Sequence, residues 1–554
     1  MWRSLPLCLV LCLCLPSPGR ARTTAATALA LRRKRAVEDL LPINGGTSSV
    51  LTAQAEGALF TTQITLGGVV FNVDVDTGSS DLWIIPKAAF TDATHTEVPA
   101  SVVYGTGSIN GTVAYAPLTL GSLNTEKQAF IQVTEATDMS GLLRFGSEGI
   151  LGLGFLTSTT GVNRALSTAG FPIASSSAIQ TLLSSNPSLP RMFTVLLGRD
   201  PGTGHGTDGL LTIGDYIAGR ENVVERPRLS RFVPAGQKFA DSPRWTVLAE
   251  SVIVNGQTIG LHSAFPDAPA GTNVALLDTG TTLSAVPRAV ADAVYGAVPG
   301  AYAAESLTSE GSHDWVVPCS KPVQVSITFG GKEIPIHPLD TTKLRKATSP
   351  RGIYCTGTLQ TAGPTLQEAG IDMLLGDSFL LNVYSAYHFG RSSLDGVTEE
   401  ETPYFQLTPL TDPSASLSEF EKIRMKEIRE LGLPELSRAQ ILGEQEVDVE
   451  GKEEVSGVIP VPAPIDDLEM SPAPVDDWAD SEPGIQPPIP PLDSNSREDA
   501  SIPLHALPPV AIAGLFVLGV VVGVVLIVVN RRRKRADYEP LSTEEYALRP
   551  RRLD

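Results

Sequence analysis

The sequence contains the tripeptide Asp-Thr-Gly twice, at residues 76–78 and 278–280, in closely matched surroundings. Each copy follows a strand-like apolar segment and precedes two hydroxyl residues. Pro86 and Pro287 come ten and nine positions after the respective Asp. One such tripeptide would mean little, but two matched copies 202 residues apart indicate a duplicated fold with one Asp from each half.

The composition agrees with a mainly β fold. The chain has 50 Gly and 43 Pro among 554 residues, which favours short strands and turns over a helical bundle. Gly67-Gly68 and Asn255-Gly256 predict tight turns between strands. With 42% apolar residues the chain can bury a large core. Its formal net charge of −19 argues against a nucleic-acid partner, because proteins that bind nucleic acids present basic surfaces.

The two Asp-Thr-Gly segments fit a catalytic pair of carboxylates. Two carboxylates about 3 Å apart cannot both ionise at low cost, so they share a proton and provide an acid and a base together. Gly78 and Gly280 allow a close approach of the backbone, and the hydroxyls of Ser79 and Thr281 can hydrogen-bond the carboxylates. The alternative interpretation is two unrelated turns that each contain an Asp.

A glycine-rich hairpin tip, Tyr104-Gly105-Thr106-Gly107-Ser108, begins 28 residues after Asp76. With this tip the sequence resembles the pepsin-type aspartic peptidases from about residue 58 to about residue 410. Residues 149–154 and 374–379 are similar to the apolar-apolar-Gly strands that support each Asp loop in that family. The resemblance implies a mainly β, two-lobed peptidase fold.

The resemblance also implies a role for several residues. Asp76 and Asp278 would bind and activate the attacking water, while Thr77 and Thr279 would form a buried hydrogen-bond clasp between the two loops. The implied reaction is hydrolysis of polypeptide substrates by general acid and base catalysis, without a metal, a cofactor or a covalent intermediate. We place the N-terminal lobe at residues 36–198 and the C-terminal lobe at residues 199–412.

In the same family a flap closes over the substrate. By resemblance, Tyr104 would do so here with Gly105 and Thr106 at the tip, and Trp83 would orient Tyr104. The interval from Asp76 to Tyr104 is shorter than in pepsin and lacks a cysteine pair, which predicts a more open entrance. The motif with Asp at position 81 is most similar to membrane-anchored fungal members of the candidapepsin and yapsin type.

The N-terminal region predicts export. Residues 1–21 have the charged start, short apolar run and polar end of a signal peptide. Residues 22–35 predict a short propeptide that ends in Arg-Arg-Lys-Arg, which resembles a processing site for a kexin- or furin-type protease. Cleavage there would leave Ala36 as the new N-terminus, whereas a merely solvated run of charge is the alternative.

Four further residues are assigned from export and from the family resemblance. Cys319 and Cys355 most simply form one disulfide, which is also the pairing that the resemblance implies for the second lobe; two free buried thiols are the alternative. Asn110 begins a permitted Asn-Gly-Thr acceptor motif and is the predicted glycosylation site. Arg244 precedes Trp245 near the expected cleft and could pair with substrate carboxylates, or else it is a solvated strand residue.

The C-terminal region predicts one membrane span. Residues 510–529 are uninterruptedly apolar and long enough to cross a bilayer, and Arg-Arg-Arg-Lys-Arg follows at residues 531–535. Residues 530–554 would form a cytosolic tail. Residues 444–509, acidic and rich in proline, predict a solvated stalk. Helical spacing from Ser418 predicts a short amphipathic helix within residues 413–443.

These features together predict a type I membrane protein. We interpret the chain as an aspartic endopeptidase whose catalytic part is extracellular or lumenal, at the cell surface or in an endosome or vacuole. The alternative function is a catalytically inactive ectodomain that serves as a binding or sorting receptor. Loss of either Asp or of its neighbouring hydroxyl would mark such a receptor, and the sequence retains all of them.

Overall fold

The computed structural model describes residues 46–54, 57–87, 89–105, 107–155, 160–172, 177–235, 244–305, 313–390 and 402–442. The predicted signal peptide, propeptide, stalk, transmembrane segment and cytosolic tail lie outside these residues. Within the described part of the chain, no helix is both long enough and apolar enough to span a membrane.

The first half of the described chain is built mainly of strands. These are β1 Thr47–Gln54, β2 Leu59–Leu66, β3 Val69–Asp76, β4 Leu82–Ile84, β5 Thr94–Val103, β6 Ser108–Leu120, β7 Leu123–Thr137, β8 Gly149–Gly152, β9 Met192–Arg199 and β10 Gly206–Ile213. The helices are α1 Ser140–Arg144, α2 Gly161–Thr168, α3 Ala178–Ser185 and a 3₁₀ helix at Glu221–Glu225.

The second half has shorter strands and ends in a longer helix. The strands are β11 Leu229–Ser230, β12 Thr246–Ala249, β13 Ser251–Val254, β14 Gln257–Ile259, β15 Asn273–Leu277, β16 Ser284–Val286, β17 Tyr302–Glu305, β18 His313–Val317, β19 Val325–Phe329, β20 Lys332–Ile336, β21 Thr342–Thr348, β22 Arg351–Gly357, β23 Leu359–Thr361, β24 Met373–Leu375, β25 Val383–His388 and β26 Tyr404–Pro409. The helices are α4 Arg288–Gly296, α5 Pro338–Thr341, α6 Pro364–Glu368, α7 Asp377–Leu380, α8 Pro413–Leu431 and α9 Arg438–Leu442.

Both predicted tight turns are confirmed. Gly67 and Gly68 join β2 to β3 with φ of 55° and 78°, the left-handed conformation that two-residue hairpin turns require. Asn255 and Gly256 join β13 to β14 with φ of 49° and 81°. Local turn chemistry therefore sets the register of these two hairpins.

Two groups of strands repeat one arrangement, and each ends at an Asp-Thr-Gly segment. Strand β3 pairs in parallel with β8, which pairs antiparallel with β4. In the second half, β15 pairs in parallel with β24, which pairs antiparallel with β16. The duplication that the sequence indicates is thus present in the sheet topology.

One long sheet joins the two halves. Among the described residues, thirteen strands follow the order β11-β26-β25-β9-β10-β1-β2-β3-β8-β4-β7-β6-β5. Strands β25 and β26 come from the end of the second half, yet β25 pairs with β9 of the first. The boundary that we place after residue 198 falls at the end of β9, inside this shared sheet.

An aromatic cluster packs where the halves join. The fully buried Trp245 lies at its centre, with ring centroids 4.4 Å from Phe155 and 5.2 Å from Tyr387. Tyr387 in turn stacks on Phe193 of β9 at 4.6 Å. Burying each such ring contributes about 2–3 kcal/mol, so this cluster fixes the two Asp-bearing halves against each other.

The C-terminal helix begins earlier than its apolar spacing predicts. The predicted start at Ser418 is wrong: α8 begins at Pro413, and Asp412 is its N-cap. The Asp412 carboxylate accepts hydrogen bonds from the N–H groups of Ser414 (2.7 Å) and Ala415 (3.1 Å). An Asp-Pro pair is a strong start for a helix, because Asp caps the free N–H groups and proline is tolerated in the first turn.

Helix α8 and the segment after it pack on the second half. The Arg424 side chain, 3% exposed, donates to the carbonyl of Thr342 at 3.0 Å and contacts Sγ of Cys355 at 3.3 Å. Beyond the helix, the Glu435 carboxylate accepts from the N–H of Cys319 at 2.8 Å. The described chain therefore ends in a strap, residues 413–442, that contacts both cysteines.

Candidate active site

The strand arrangement delivers each Asp at the end of a buried strand. Asp76 is the last residue of β3, and its carbonyl accepts from the N–H of Leu153 at 2.8 Å. Asp278 directly follows β15, and its N–H donates to the carbonyl of Leu375 at 3.0 Å. The segments 149–154 and 374–379 thus support the two loops, as the resemblance implies.

The threonines of the two loops bind each other's backbone. Thr77 Oγ1 donates to the carbonyl of Leu277 at 2.7 Å, and Thr279 Oγ1 donates to the carbonyl of Val75 at 2.5 Å. Each hydroxyl also accepts from the other threonine's N–H, at 3.0 Å and 3.1 Å. The clasp that the resemblance implies is therefore present, and all four bonds are buried between the halves.

The two carboxylates have equivalent hydrogen-bond partners. Asp76 accepts from the N–H of Gly78 at 2.7 Å and from the Ser79 hydroxyl. Asp278 accepts from the N–H of Gly280 at 2.9 Å and from the Thr281 hydroxyl at 2.8 Å. These donors hold both carboxylates in fixed orientations, which is the preorganisation that acid and base catalysis requires.

The two glycines explain how the carboxylates come together. A Cβ at Gly78 would lie 2.5 Å from Asp278 Oδ1, and a Cβ at Gly280 would lie 2.6 Å from Asp76 Oδ1. Both distances are too short for a real side chain. Each glycine therefore leaves the space into which the carboxylate of the other half reaches.

Burial and proximity favour a shared proton. Asp76 and Asp278 are 5% and 7% exposed. Burial, and secondly the charge of Asp278, raise the pKa of Asp76, while its bonds from Ser79 and Gly78 oppose the shift. The pair accordingly retains one proton at pH values where an isolated carboxyl would lose it, so that it holds an acid and a base side by side.

The predicted flap is the hairpin formed by β5 and β6. Trp83 Nε1 donates to the Tyr104 hydroxyl at 2.7 Å, so Trp83 fixes the position of this tyrosine. Burial and the nearby charge of Asp76 raise the pKa of Tyr104, which agrees with a ring held beside the carboxylates. Gly105 lies at the tip with open space around it, and Thr106 lies outside the described residues.

Three predicted residues lie elsewhere in the fold. Cys319 and Cys355 form a disulfide between the segment after β18 and strand β22. Asn110 is exposed on β6, and its side-chain amide donates to Glu135 at 3.4 Å. The disulfide has a structural role in the C-terminal half of the described chain, and Asn110 presents an accessible amide to solvent.

Two buried acidic residues near the Asp76–Asp278 pair were not predicted from the sequence. Asp74 and Asp377 are 0% and 1% exposed, and none of their carboxylate oxygens accepts a hydrogen bond from the residues that the structure describes. Burial raises both pKa values well above the usual range, helped by the charges of Asp76 and Asp278 at Asp74, and of Asp74 and Asp278 at Asp377. The available indication was an Asp among mostly apolar neighbours, between Val73 and Val75 for Asp74 and near Leu374, Leu375 and Phe379 for Asp377.

Two similar β lobes, each providing one Asp to a clasped and buried pair beside a tyrosine-bearing hairpin, define an aspartic-type endopeptidase. Residues 59–395 match the family described as eukaryotic aspartyl protease. The match covers more than half of the chain, so the chain belongs to that family. The resemblance to pepsin-type aspartic peptidases is therefore confirmed.

Three similar curated proteins are fungal enzymes of the same class. An aspartic protease of Phaffia rhodozyma is 29% identical over 360 residues, which cover 62% of this chain and 77% of the relative. Major aspartyl peptidase 1 of Cryptococcus neoformans is 26% identical over 392 residues, 66% of this chain and 72% of the relative. A probable aspartic-type endopeptidase of Trichophyton verrucosum is 23% identical over 358 residues, which cover 62% of this chain and 61% of the relative.

Proposed function

We propose that this chain is a membrane-anchored aspartic endopeptidase in which Asp76 and Asp278 activate the water that attacks the peptide bond. The observation that carries this proposal is the matched set of donors on the two carboxylates, each receiving one glycine N–H and one hydroxyl. A binding receptor on the same scaffold would have no use for two equivalent, clasped carboxylates.

The reaction requires one proton on the pair. The ionised carboxylate takes a proton from the water as it attacks the carbonyl carbon, and the protonated carboxyl donates to the carbonyl oxygen. The carboxyl that took the proton from water then donates it to the leaving nitrogen, while the other carboxylate takes a proton from a hydroxyl of the tetrahedral intermediate. The C–N bond breaks, and the pair regains its starting protonation. Tyr104, held by Trp83, covers the substrate during these steps.

The proposal has a direct catalytic test. Asp278→Asn keeps the shape of the side chain but removes its ability to share the proton, so we expect peptide hydrolysis at acidic pH to be lost. The matched control is Asp92→Asn, which changes an exposed residue and should leave the rate unchanged. An Asp278→Asn protein that folds and still cleaves peptides at the wild-type rate would contradict the assignment.

The membrane part of the proposal is supported by the sequence. The apolar segment 510–529, the basic residues after it and the signal-like residues 1–21 support a type I anchor, with the catalytic part at the cell surface or in an endosome or vacuole. A kexin- or furin-type protease would remove residues 22–35.

Alkaline carbonate extraction of cells tests the anchor. We expect the full-length chain to stay with the membranes and a variant lacking residues 510–529 to be released. A deletion variant that remains equally membrane-bound would show that another part of the protein provides the attachment.

A further inference from the structure

Arg244 lies beside the catalytic pair because of strand register. It lies two residues before β12, which pairs antiparallel with β15. The N–H of Leu277 donates to the carbonyl of Trp245 at 3.1 Å and so continues this register past the last ladder pair. Arg244 and Asp278 are the next residues after this bonded pair, and the N–H of Thr246 donates to the Arg244 carbonyl at 2.9 Å in a tight turn at the start of the strand.

Backbone pairing brings Arg244 close to the catalytic pair. Trp245 and Leu277, which are bonded to each other, are both fully buried in the core. Arg244 and Asp278 are their respective chain neighbours. The charges of Asp278 and Asp76 accordingly act on the Arg244 guanidinium.

A hydrogen bond holds the guanidinium of Arg244 in place. Arg244 is half-buried, and its Nη1 donates to the carbonyl of Ala369, just after α6, at 3.2 Å. Burial lowers the pKa of Arg244, and the charges of Asp278 and Asp76 oppose that shift. An arginine nevertheless remains protonated in proteins, so a fixed positive charge lies next to the site of hydrolysis.

We propose that Arg244 recognises a carboxylate of the substrate next to the scissile bond. This inference rests on the proposed function and specifies its substrate class. A guanidinium presents paired N–H donors that match the two oxygens of a carboxylate, which gives both charge and directional selectivity. The carboxylate has two possible sources, an Asp or Glu side chain within the peptide or the C-terminal carboxylate of the peptide.

Matched peptides distinguish the two sources. Purified full-length protein in detergent is assayed on peptides that carry Glu or Gln at each of three positions on either side of the scissile bond. Each peptide is made with a free C-terminal carboxylate and with a C-terminal amide. The proteins compared are the wild type, Arg244→Ala, Arg244→Lys and, as the matched control, Arg288→Ala, whose arginine side chain is 58% exposed on α4.

The expected result is a change in selectivity. At one position, or at the C-terminus, the wild type should prefer the carboxylate over the amide by about tenfold in kcat/KM, as expected for a charge-assisted pair. Arg244→Ala should bring that ratio to about one. Arg244→Lys should keep part of the preference, and Arg288→Ala all of it.

Two results would overturn the inference. One is a wild type without any preference for a carboxylate. The other is an Arg244→Ala protein that loses activity on all peptides by the same factor, because Arg244 would then support the catalytic pair or the fold.

A binding measurement separates this inference from the proposed catalysis. The Asp76→Asn protein should bind the preferred carboxylate peptide about tenfold more tightly than its neutral counterpart, and Asp76→Asn with Arg244→Ala should bind both equally. Equal binding of the two peptides by Asp76→Asn itself would refute carboxylate recognition. If no protein cleaves any peptide, the proposed function fails, while this measurement still decides the role of Arg244.

Discussion

Asp377 should make the stability of the catalytic body fall as the pH rises, and the Asp377→Asn substitution isolates that effect. Its carboxyl is 1% exposed, and burial together with the charges of Asp74 and Asp278 raises its pKa well above the usual range. The folded protein therefore holds the Asp377 proton at pH values where the unfolded chain has already released it. Unfolding releases this proton, so a higher pH favours the unfolded state.

The size of the effect follows from proton linkage. An Asp in an unfolded chain has a pKa of about 3.9. Each pH unit between that value and the raised pKa of the folded protein lowers the free energy of unfolding by about 1.4 kcal/mol. From pH 4.5 to pH 6.5, Asp377 should thus lower the free energy of unfolding by at most about 2.7 kcal/mol. An Asn at this position does not titrate and removes that part of the pH dependence.

Urea denaturation at the two pH values measures the effect. The fluorescence of the fully buried Trp83 and Trp245 reports on the catalytic body. Relative to wild type, Asp377→Asn should gain up to about 2.7 kcal/mol of stability between pH 4.5 and pH 6.5. The exposed control Asp92→Asn should follow the wild type at both pH values. The reasoning is refuted if the stability of Asp377→Asn declines with pH in parallel with that of the wild type.

Three further predictions concern the clasp, maturation and modification. Thr279→Val removes the bonds to Val75 and from Thr77 and should cost about 2–4 kcal/mol in denaturation, whereas Thr279→Ser should cost much less; equal losses would contradict the clasp. Mass spectrometry of the mature protein should find Ala36 at the N-terminus, and a terminus upstream of the basic cluster would contradict the proposed processing. Glycosidase treatment should increase gel mobility for the wild type but not for Asn110→Gln; a wild type without this shift carries no glycan there.

Local motifs predict the centre of the site well. A few neighbouring residues determine the loops of Asp76 and Asp278, the tight turns and the tyrosine of the flap. The local sequence is therefore enough to predict the conformation of each. The clasp and the disulfide join distant parts of the chain, and no local pattern specifies them. The family resemblance predicts both, because the motifs that carry it belong to a fold in which those parts meet.

Features that depend on long-range pairing could not be predicted from local pattern. Arg244 lies near Asp278 only because β12 and β15 adopt one particular register, which the bond from Leu277 to Trp245 extends. Asp377 belongs to a segment that we interpreted as an apolar support, and its burial beneath the pair depends on how both halves pack. The start of α8 was missed because apolar spacing located the helix, whereas the cap at Asp412 determines its first residue.

The shared sheet has a consequence for the synthesis of this protein. One edge of β9 pairs with β25, and the two strands are separated by about 185 residues of chain. At a translation rate of roughly 5–20 residues per second, this edge stays open for about 10–40 s after β9 leaves the ribosome. Open strand edges pair readily with other chains. The nascent first half therefore exposes an unpaired strand edge during synthesis, and chains that stop before Val383 should aggregate instead of accumulating as a folded lobe.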